Sequence, residues 1–407
     1  MGNISYFCIV KRFKYIFRYT TLFIFLLLTD VVYAQVPESI LQQMDSVDIC
    51  LLTCQPGSKI YNIYGHTAIR YHDKSRNQDL TINYGMFSFG KPYFILRFVF
   101  GLTDYEMGIE PFDEFCAQYA SENRGVVQQT LNLSAQEKLA IAQAIDDNYK
   151  PENRVYRYNY LYDNCTTRAR NILINHINGT IKYTNTTPKE TSYRELIHQM
   201  NDNYPWSKFG NDVLLGVKAD FKTNRFQQQF LPDILRKDFA TALIIGKDGN
   251  RKKLIAKTQV IIPQGVQTKE CEFPLRPMTC ALILLALTII ITCIEFKNKC
   301  HIWGYDVTLI LITGLAGIIL TAMIFSQHPT VSLNLQILLL NPLPLFIVLP
   351  IIRAIRNRQV HWYIKASTIL IILFFIGNIL QNYAEGMNIV ALSLLIRYIS
   401  IIGNRKK

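Results

Sequence analysis

The sequence predicts an exported α+β domain followed by an α-helical transmembrane bundle of about five spans. Three observations carry this. Residues 1–34 have the layout of a signal peptide, residues 35–276 mix strand-like and helix-like patterns, and residues 277–407 are a succession of apolar segments. Half of the 407 residues are apolar and 18% are charged, against about 25% charged in ordinary soluble domains. The formal net charge of +13 suggests nucleic acid until it is located. Residues 1–34 hold four basic residues against one acidic, and residues 277–407 hold ten against three, which leaves +3 for the stretch between. The excess flanks the apolar segments, where orientation in a bilayer explains it, and a nucleic-acid partner is set aside.

At the N-terminus Lys11, Arg12, Lys14 and Arg18 precede an apolar stretch around Leu22–Leu28, and Val32-Tyr33-Ala34 supplies the small residues that an export peptidase needs. The expectation is a signal peptide cleaved after Ala34. The C-terminal segments Met278–Phe296, Tyr305–Phe325, Leu335–Ile352, Tyr363–Leu380 and Asn388–Ile402 are the expected spans, the last short and carrying Arg397. If residues 35–276 face outward, Lys297, Lys299, Arg353, Arg356, Arg358, Lys365 and Arg405–Lys407 all fall inside, and the outward loops 326–334 and 381–388 contain no Lys or Arg. Every loop then obeys the positive-inside rule.

The exported part opens with strand-like runs at Val47–Thr53, His66–Tyr71 and Leu80–Tyr84, separated by Pro56-Gly57 and by the polar turn 73–79. A helix is expected over Ser134–Asn148, with Ser134 and Glu137 as a capping box. Another starts at Asp163-Asn164-Cys165, and a polar, irregular peripheral extension is expected from Asn185 onward. Cys50 and Cys54 are four apart in a strand, ~13 Å, beyond disulfide reach.

Cys165 stands apart from the other cysteines. It sits in Tyr162-Asp163-Asn164-Cys165-Thr166-Thr167-Arg168, a polar stretch opening a helix. A thiol in a first helical turn meets free backbone N–H groups and the positive dipole end, both of which favour thiolate; Arg168 and Arg170 add positive field. A cysteine nucleophile needs a base. His301 and His361 fall on the inner side, His176 and His198 on helix surfaces, and His328 in an outward membrane loop. His66, at the start of a strand behind Gly65, is the candidate, with His72 as competitor and Asn83 on the neighbouring strand as the orienting group. An inert buried cysteine and a structural histidine are the plain alternative. The aromatic density between Tyr84 and Phe100 reads either as core or as a lipid-facing wall with Lys91 and Arg97 near phosphates.

Thr53-Cys54-Gln55-Pro56-Gly57, Gly65-His66-Thr67-Ala68-Ile69-Arg70, Asn83-Tyr84-Gly85-Met86-Phe87 and Tyr158–Arg168, in that order, resemble the exported domain of the Lnb-type lipoprotein N-acyltransferases. The apolar tail, with Ser326-Gln327-His328-Pro329 and Asn341-Pro342, resembles that family's membrane domain. The order of His before Cys is also similar to circularly permuted papain-like enzymes such as lecithin:retinol acyltransferase. The resemblance implies a permuted papain-like domain in the periplasm, anchored in the bacterial inner membrane, with Cys165 as nucleophile, His66 as base and Asn83 in the third role. Tyr64, Tyr162 and Arg168 are expected at the oxyanion or substrate, and His328 and Asn341 at a lipid head group. The implied partners are a phospholipid acyl donor and a diacylated lipoprotein acceptor, with no metal or cofactor. Two readings stay open beside it: a papain-like hydrolase of cell-wall peptides, and a non-catalytic membrane scaffold for lipoproteins.

Overall fold

The computed structural model describes residues 37–403 apart from 60, 88–91, 185–189 and 268–272. The expected signal peptide, Lys91, Cys271 and the terminal Arg405–Lys407 lie outside the described residues. The helix Glu38–Asp45 belongs to an N-terminal unit that ends at Asp45, and everything from Ser46 onward forms a second unit.

Ten strands are described in that second unit: β1 (Val47–Cys54), β2 (His66–Asp73), β3 (Gln78–Met86), β4 (Asp104–Pro111), β5 (Val126–Leu131), β6 (Val155–Arg157), β7 (Thr180–Lys182), β8 (Leu243–Ile245), β9 (Arg251–Lys253) and β10 (Ile255–Ile262). Seven build one sheet in the order β10-β5-β1-β2-β3-β4-β6, every pair antiparallel. The run Val-Asp-Ile-Cys-Leu-Leu-Thr-Cys of β1 lacks clean alternation because both of its faces are covered. Helix α1 (Phe112–Ser121) packs Phe115 and Tyr119 against Leu52, Cys54 and Ala68 on one face. Helix α2 (Ala135–Tyr149) carries the expected Ser134–Glu137 capping box. Helix α3 (Cys165–Ile174) packs on β2 and β3, where Thr166 Oγ1 lies 3.0 Å from Thr67 Oγ1. By strand alternation Thr67 faces away from Ala68, so α3 covers the face opposite α1. Cys50 and Cys54 are free, buried thiols.

The segment after Asn185 is not the peripheral extension its composition suggests. It forms α4 (Tyr193–Asn201), α5 (Pro205–Leu214) and α6 (Pro232–Thr241), and Leu196, Ile197, Leu215, Phe230 and Leu231 close a core with Leu161 and Tyr193. Its last strand, β10, joins the main sheet beside β5. The polar composition conceals a buried ion-pair network: the Arg194 guanidinium, 2% exposed, meets Asp212 at 2.7 Å and Asp220 at 2.9 Å.

Beyond it comes a helical membrane region. Helices α7 (Pro277–Asn298) and α8 (Trp303–Ile324) have 22 residues each and mean hydropathy 2.5, about 33 Å at 1.5 Å per residue, the thickness of the hydrocarbon core. Leu282, Ile283, Ile290, Ile312 and Ile319 are exposed on their surfaces, as lipid-facing side chains are. The expected third span is instead a helical pair, Leu335–Phe346 and α9 (Val348–Arg356), bent by 89°. The bend falls at Ile347, between the short turn Leu343–Phe346 and α9. The last two segments form α10 (Trp362–Gly377) and α11 (Met387–Gly403), of 16 and 17 residues, short of the ~20 that a straight crossing takes. Among the described residues two helices thus meet the length and composition of a span, three if the bent pair counts as one. α11 packs on α7 and α10. Its Arg397, completely buried, bonds Glu295 of α7 at 2.8 Å and Asp306 of α8 at 2.6 Å, which answers why a charge sits in the last apolar segment.

The loops between the membrane helices clasp residues 212–217 of the preceding domain. Gly216 N donates to Thr330 O and Val217 N to Leu333 O, both at 2.8 Å. Asn334 Nδ2 donates to Val213 O at 2.7 Å, Gln336 Nε2 to Asp212 O at 2.8 Å and Gln381 Nε2 to Leu215 O at 3.0 Å. Asn334, Gln336 and Gln381 are all buried, so their amides satisfy backbone carbonyls that burial otherwise leaves unpaired.

Candidate active site

Cys165 is the first residue of α3, and Asn164 is its cap. Asn164 Oδ1 accepts from Thr166 N at 3.0 Å and Thr167 N at 2.9 Å, while Thr167 Oγ1 accepts from Asn164 N at 2.9 Å. The cap is itself locked, its Nδ2 donating to Tyr160 O and Phe230 O at 3.0 Å each. This engages the second and third amides of the helix and leaves the Cys165 N–H uncapped. Asn, Thr and Thr at these spacings explain why the helix starts here and where the thiol points.

His66 opens β2. Its Nε2 lies 2.9 Å from Asn83 Oδ1, which leaves Nδ1 for the hydrogen bond with Cys165. Asn83 sits on β3 in register with Ala68, two residues beyond His66 on the same face of the sheet. Its Nδ2 donates in turn to Glu110 on β4. Two glycines make this corner possible. Gly65 has φ +78°, and a Cβ there meets Cys54 O at 2.8 Å. Gly85, at the irregularity that ends regular β3–β4 pairing, has φ +89° and brings its backbone alongside the Cys165 side chain.

The electrostatics favour an ion pair. Burial works against the thiolate, but the His66 charge, a hydrogen bond with the His66 ring and another from Thr67 N outweigh it and pull the Cys165 thiol down to about 7. Burial likewise opposes the imidazolium, and the Cys165 charge with hydrogen bonds to Cys165 and Asn83 raises the His66 pKa on balance. Burial pushes Glu110 above the usual carboxylate range, against the pull of His66 and Asn83.

Cys165, His66, Asn83 and Glu110 open into one cavity of about 460 Å³. Its walls include Phe98, Leu214 and Leu231, and it extends to Met323, His328 and Val331 of the membrane region. Tyr64 lines it too, its oxygen accepting from Asn211 Nδ2 at 2.9 Å. His328 lines it, buried between Tyr160 and Phe98.

The other expected site residues lie elsewhere. Tyr162 is 42% exposed and packs on Tyr193 away from the cavity. Arg168 is held by Asp163 at 2.7 Å through two N–H groups and lies over the Tyr156 ring; pairing has spent its charge. Asn341 is inside the membrane region, packed against Gly317 and hydrogen-bonded to Tyr363. Arg97 pairs with Asp104 at 2.9 Å, while Tyr84, Met86, Phe87 and Phe98 of the aromatic segment do line the cavity. His72 is not among the lining residues. His176, His198 and His301 are hydrogen-bonded to Ile172 O, Asp212 and Asp306 respectively. Sequence reasoning missed Glu110; only the pairing of β4 with β3 discloses it. Among the described residues one cluster has metal-ligand geometry, Glu295, His301 and Asp306, and the Arg397 guanidinium already neutralises its carboxylates.

Two family models match the chain, the Lnb N-terminal periplasmic domain over residues 41–199 and the Lnb transmembrane domain over residues 268–407. No curated protein and no solved structure matches it.

Proposed function

The chain belongs to the Lnb family, with a periplasmic domain followed by a transmembrane domain, and from that premise we propose that it is a lipoprotein N-acyltransferase. It takes an acyl chain from a phospholipid, carries it as a Cys165 thioester, and delivers it to the N-terminal amine of a diacylglyceryl-cysteine lipoprotein in the outer leaflet of the bacterial inner membrane. One observation carries the reading: the cysteine–histidine pair opens into a largely apolar cavity that continues to the membrane region.

The thiolate of Cys165 attacks the ester carbonyl carbon; the C–S bond forms, the C–O bond breaks, and the leaving glycerol oxygen takes a proton from His66. The uncapped Cys165 N–H, with the Tyr64 hydroxyl as second donor, stabilises the oxyanion; one such donor is typically worth ~3 kcal/mol. Asn83, backed by Glu110, holds the His66 ring toward the sulfur. In the second half the acceptor amine attacks the thioester carbon. The C–N bond forms, the C–S bond breaks, and the amine proton passes through His66 to the sulfur. The scheme calls for no metal or nucleotide. A cell-wall peptidase has no need of a reaction cavity that ends on membrane helices.

The test is mass spectrometry of lipoprotein N-terminal peptides from cells lacking the gene, complemented with wild type or Cys165→Ala. Wild type gives triacylated peptides and the other two give diacylated ones. Unchanged N-acylation in the deletion strain, with no other acyltransferase present, overturns the proposal.

A further inference from the structure

One group in the cavity has chemistry that the scheme above leaves unused. His328 is 4% exposed, lines the same cavity as Cys165, and has no hydrogen-bond partner at Nε2. Its ring hydrogen-bonds the Phe98 backbone carbonyl. A carbonyl accepts only, so the bonded nitrogen, Nδ1, carries the proton and Nε2 is a bare lone pair in the neutral ring. Burial lowers the His328 pKa and keeps it neutral. The backbone that carries the ring is pinned as well: Gln327 N donates to Phe100 O at 3.0 Å, and His328 N to Ser326 Oγ at 3.3 Å. The adjacent Tyr160 hydroxyl lies 3.2 Å from Thr330 Oγ1.

A buried acceptor requires a donor. The ester and phosphodiester oxygens of a phospholipid are acceptors only and do not answer it, whereas a primary amine does. We propose that His328 Nε2 binds the acceptor's primary amine by accepting one of its N–H hydrogens, so that the nitrogen lone pair faces the Cys165 thioester while His66 receives the other proton. The retained hydrogen becomes the amide N–H of the product. This rests on the acyl-transfer reading and deepens it by giving the second substrate a residue of its own. An ethanolamine head group on the donor lipid carries the same amine, and the test separates the two sources.

Full-length protein in detergent is followed by intact mass through both halves: loading of Cys165 from phosphatidylglycerol or from phosphatidylethanolamine, then discharge to a synthetic diacylglyceryl-cysteinyl peptide. His328→Asn keeps a donor for the Phe98 carbonyl and removes the Nε2 acceptor; His328→Gln restores an acceptor near that position. The expected result is wild-type loading of His328→Asn from both lipids, discharge to the peptide slowed roughly tenfold or more, and partial recovery in His328→Gln. Discharge by hydroxylamine, which needs no docking, stays at the wild-type rate. Equal slowing of loading and discharge in both variants, or no slowing, overturns the inference. A loading defect confined to phosphatidylethanolamine overturns it too, by assigning the nitrogen to the donor. Wild type that never loads Cys165 refutes the acyl-transfer reading itself.

Discussion

Replacing His66 by alanine isolates what the histidine does to the nucleophile. With the wild-type thiol at about 7, half of Cys165 is thiolate at pH 7. The substitution removes the two largest influences that lower it and leaves burial, which raises it, against the weaker Thr67 and Thr166 hydrogen bonds, so the thiol moves back toward its ordinary value of 9.0. At 9.0 about 1% is thiolate at pH 7, roughly fiftyfold less, equivalent to about 2.3 kcal/mol. The sign follows from the pairing: the anion loses its cation, so more alkali is needed to form it. The assay is iodoacetamide alkylation at Cys165 from about pH 5 to 10, read by peptide mass spectrometry. Burial pushes the Cys50 thiol up to about 11 and the Cys54 thiol up to about 12, so both stay silent over most of that range. A wild-type midpoint near 9, or a midpoint that does not move in His66→Ala, refutes the reasoning.

Asn83→Ala removes a hydrogen bond that raises the His66 pKa; kcat/KM falls roughly tenfold or more, and the alkaline limb of its pH profile moves to lower pH. Gly85→Ala forces a Cβ onto a backbone at φ +89° and costs about 1–3 kcal/mol, seen as a lower Tm with the Cys165 adduct still forming. Arg397→Met strands Glu295 and Asp306 and costs about 3–5 kcal/mol of stability in detergent, most of which returns when those two are also changed to Gln and Asn.

What the sequence disclosed was local. Strands β1 to β3, the Ser134 capping box and the Asn164-Cys165 helix start rest on residues within a few positions of one another, and their structure follows it. His66 and Asn83 are found the same way, because two consecutive antiparallel strands bring the second opposite the first. Glu110 escaped because its strand returns to β3 only after the short helix Phe94–Val99, and Tyr162 and Arg168 were misplaced because adjacency to Cys165 along the chain says nothing of which way a side chain leaves a helix start. The bend after Phe346 escaped because hydropathy sums apolar residues without regard to backbone direction. The folded segment beyond Asn185 escaped because Arg194, Asp212 and Asp220 look solvent-loving singly and become core material only as a group.

The clasp between residues 212–217 and the outward loops has a consequence for selectivity. On the proposed acyl-transfer reading, a reaction centre tied in this way to the membrane helices measures distance rather than reading sequence. On the proposed reading, a lipoprotein presents only the few atoms next to its own lipid anchor at that level, and the folded body behind them stays out of reach. One rigid gauge of this kind serves clients that share nothing except their first residue.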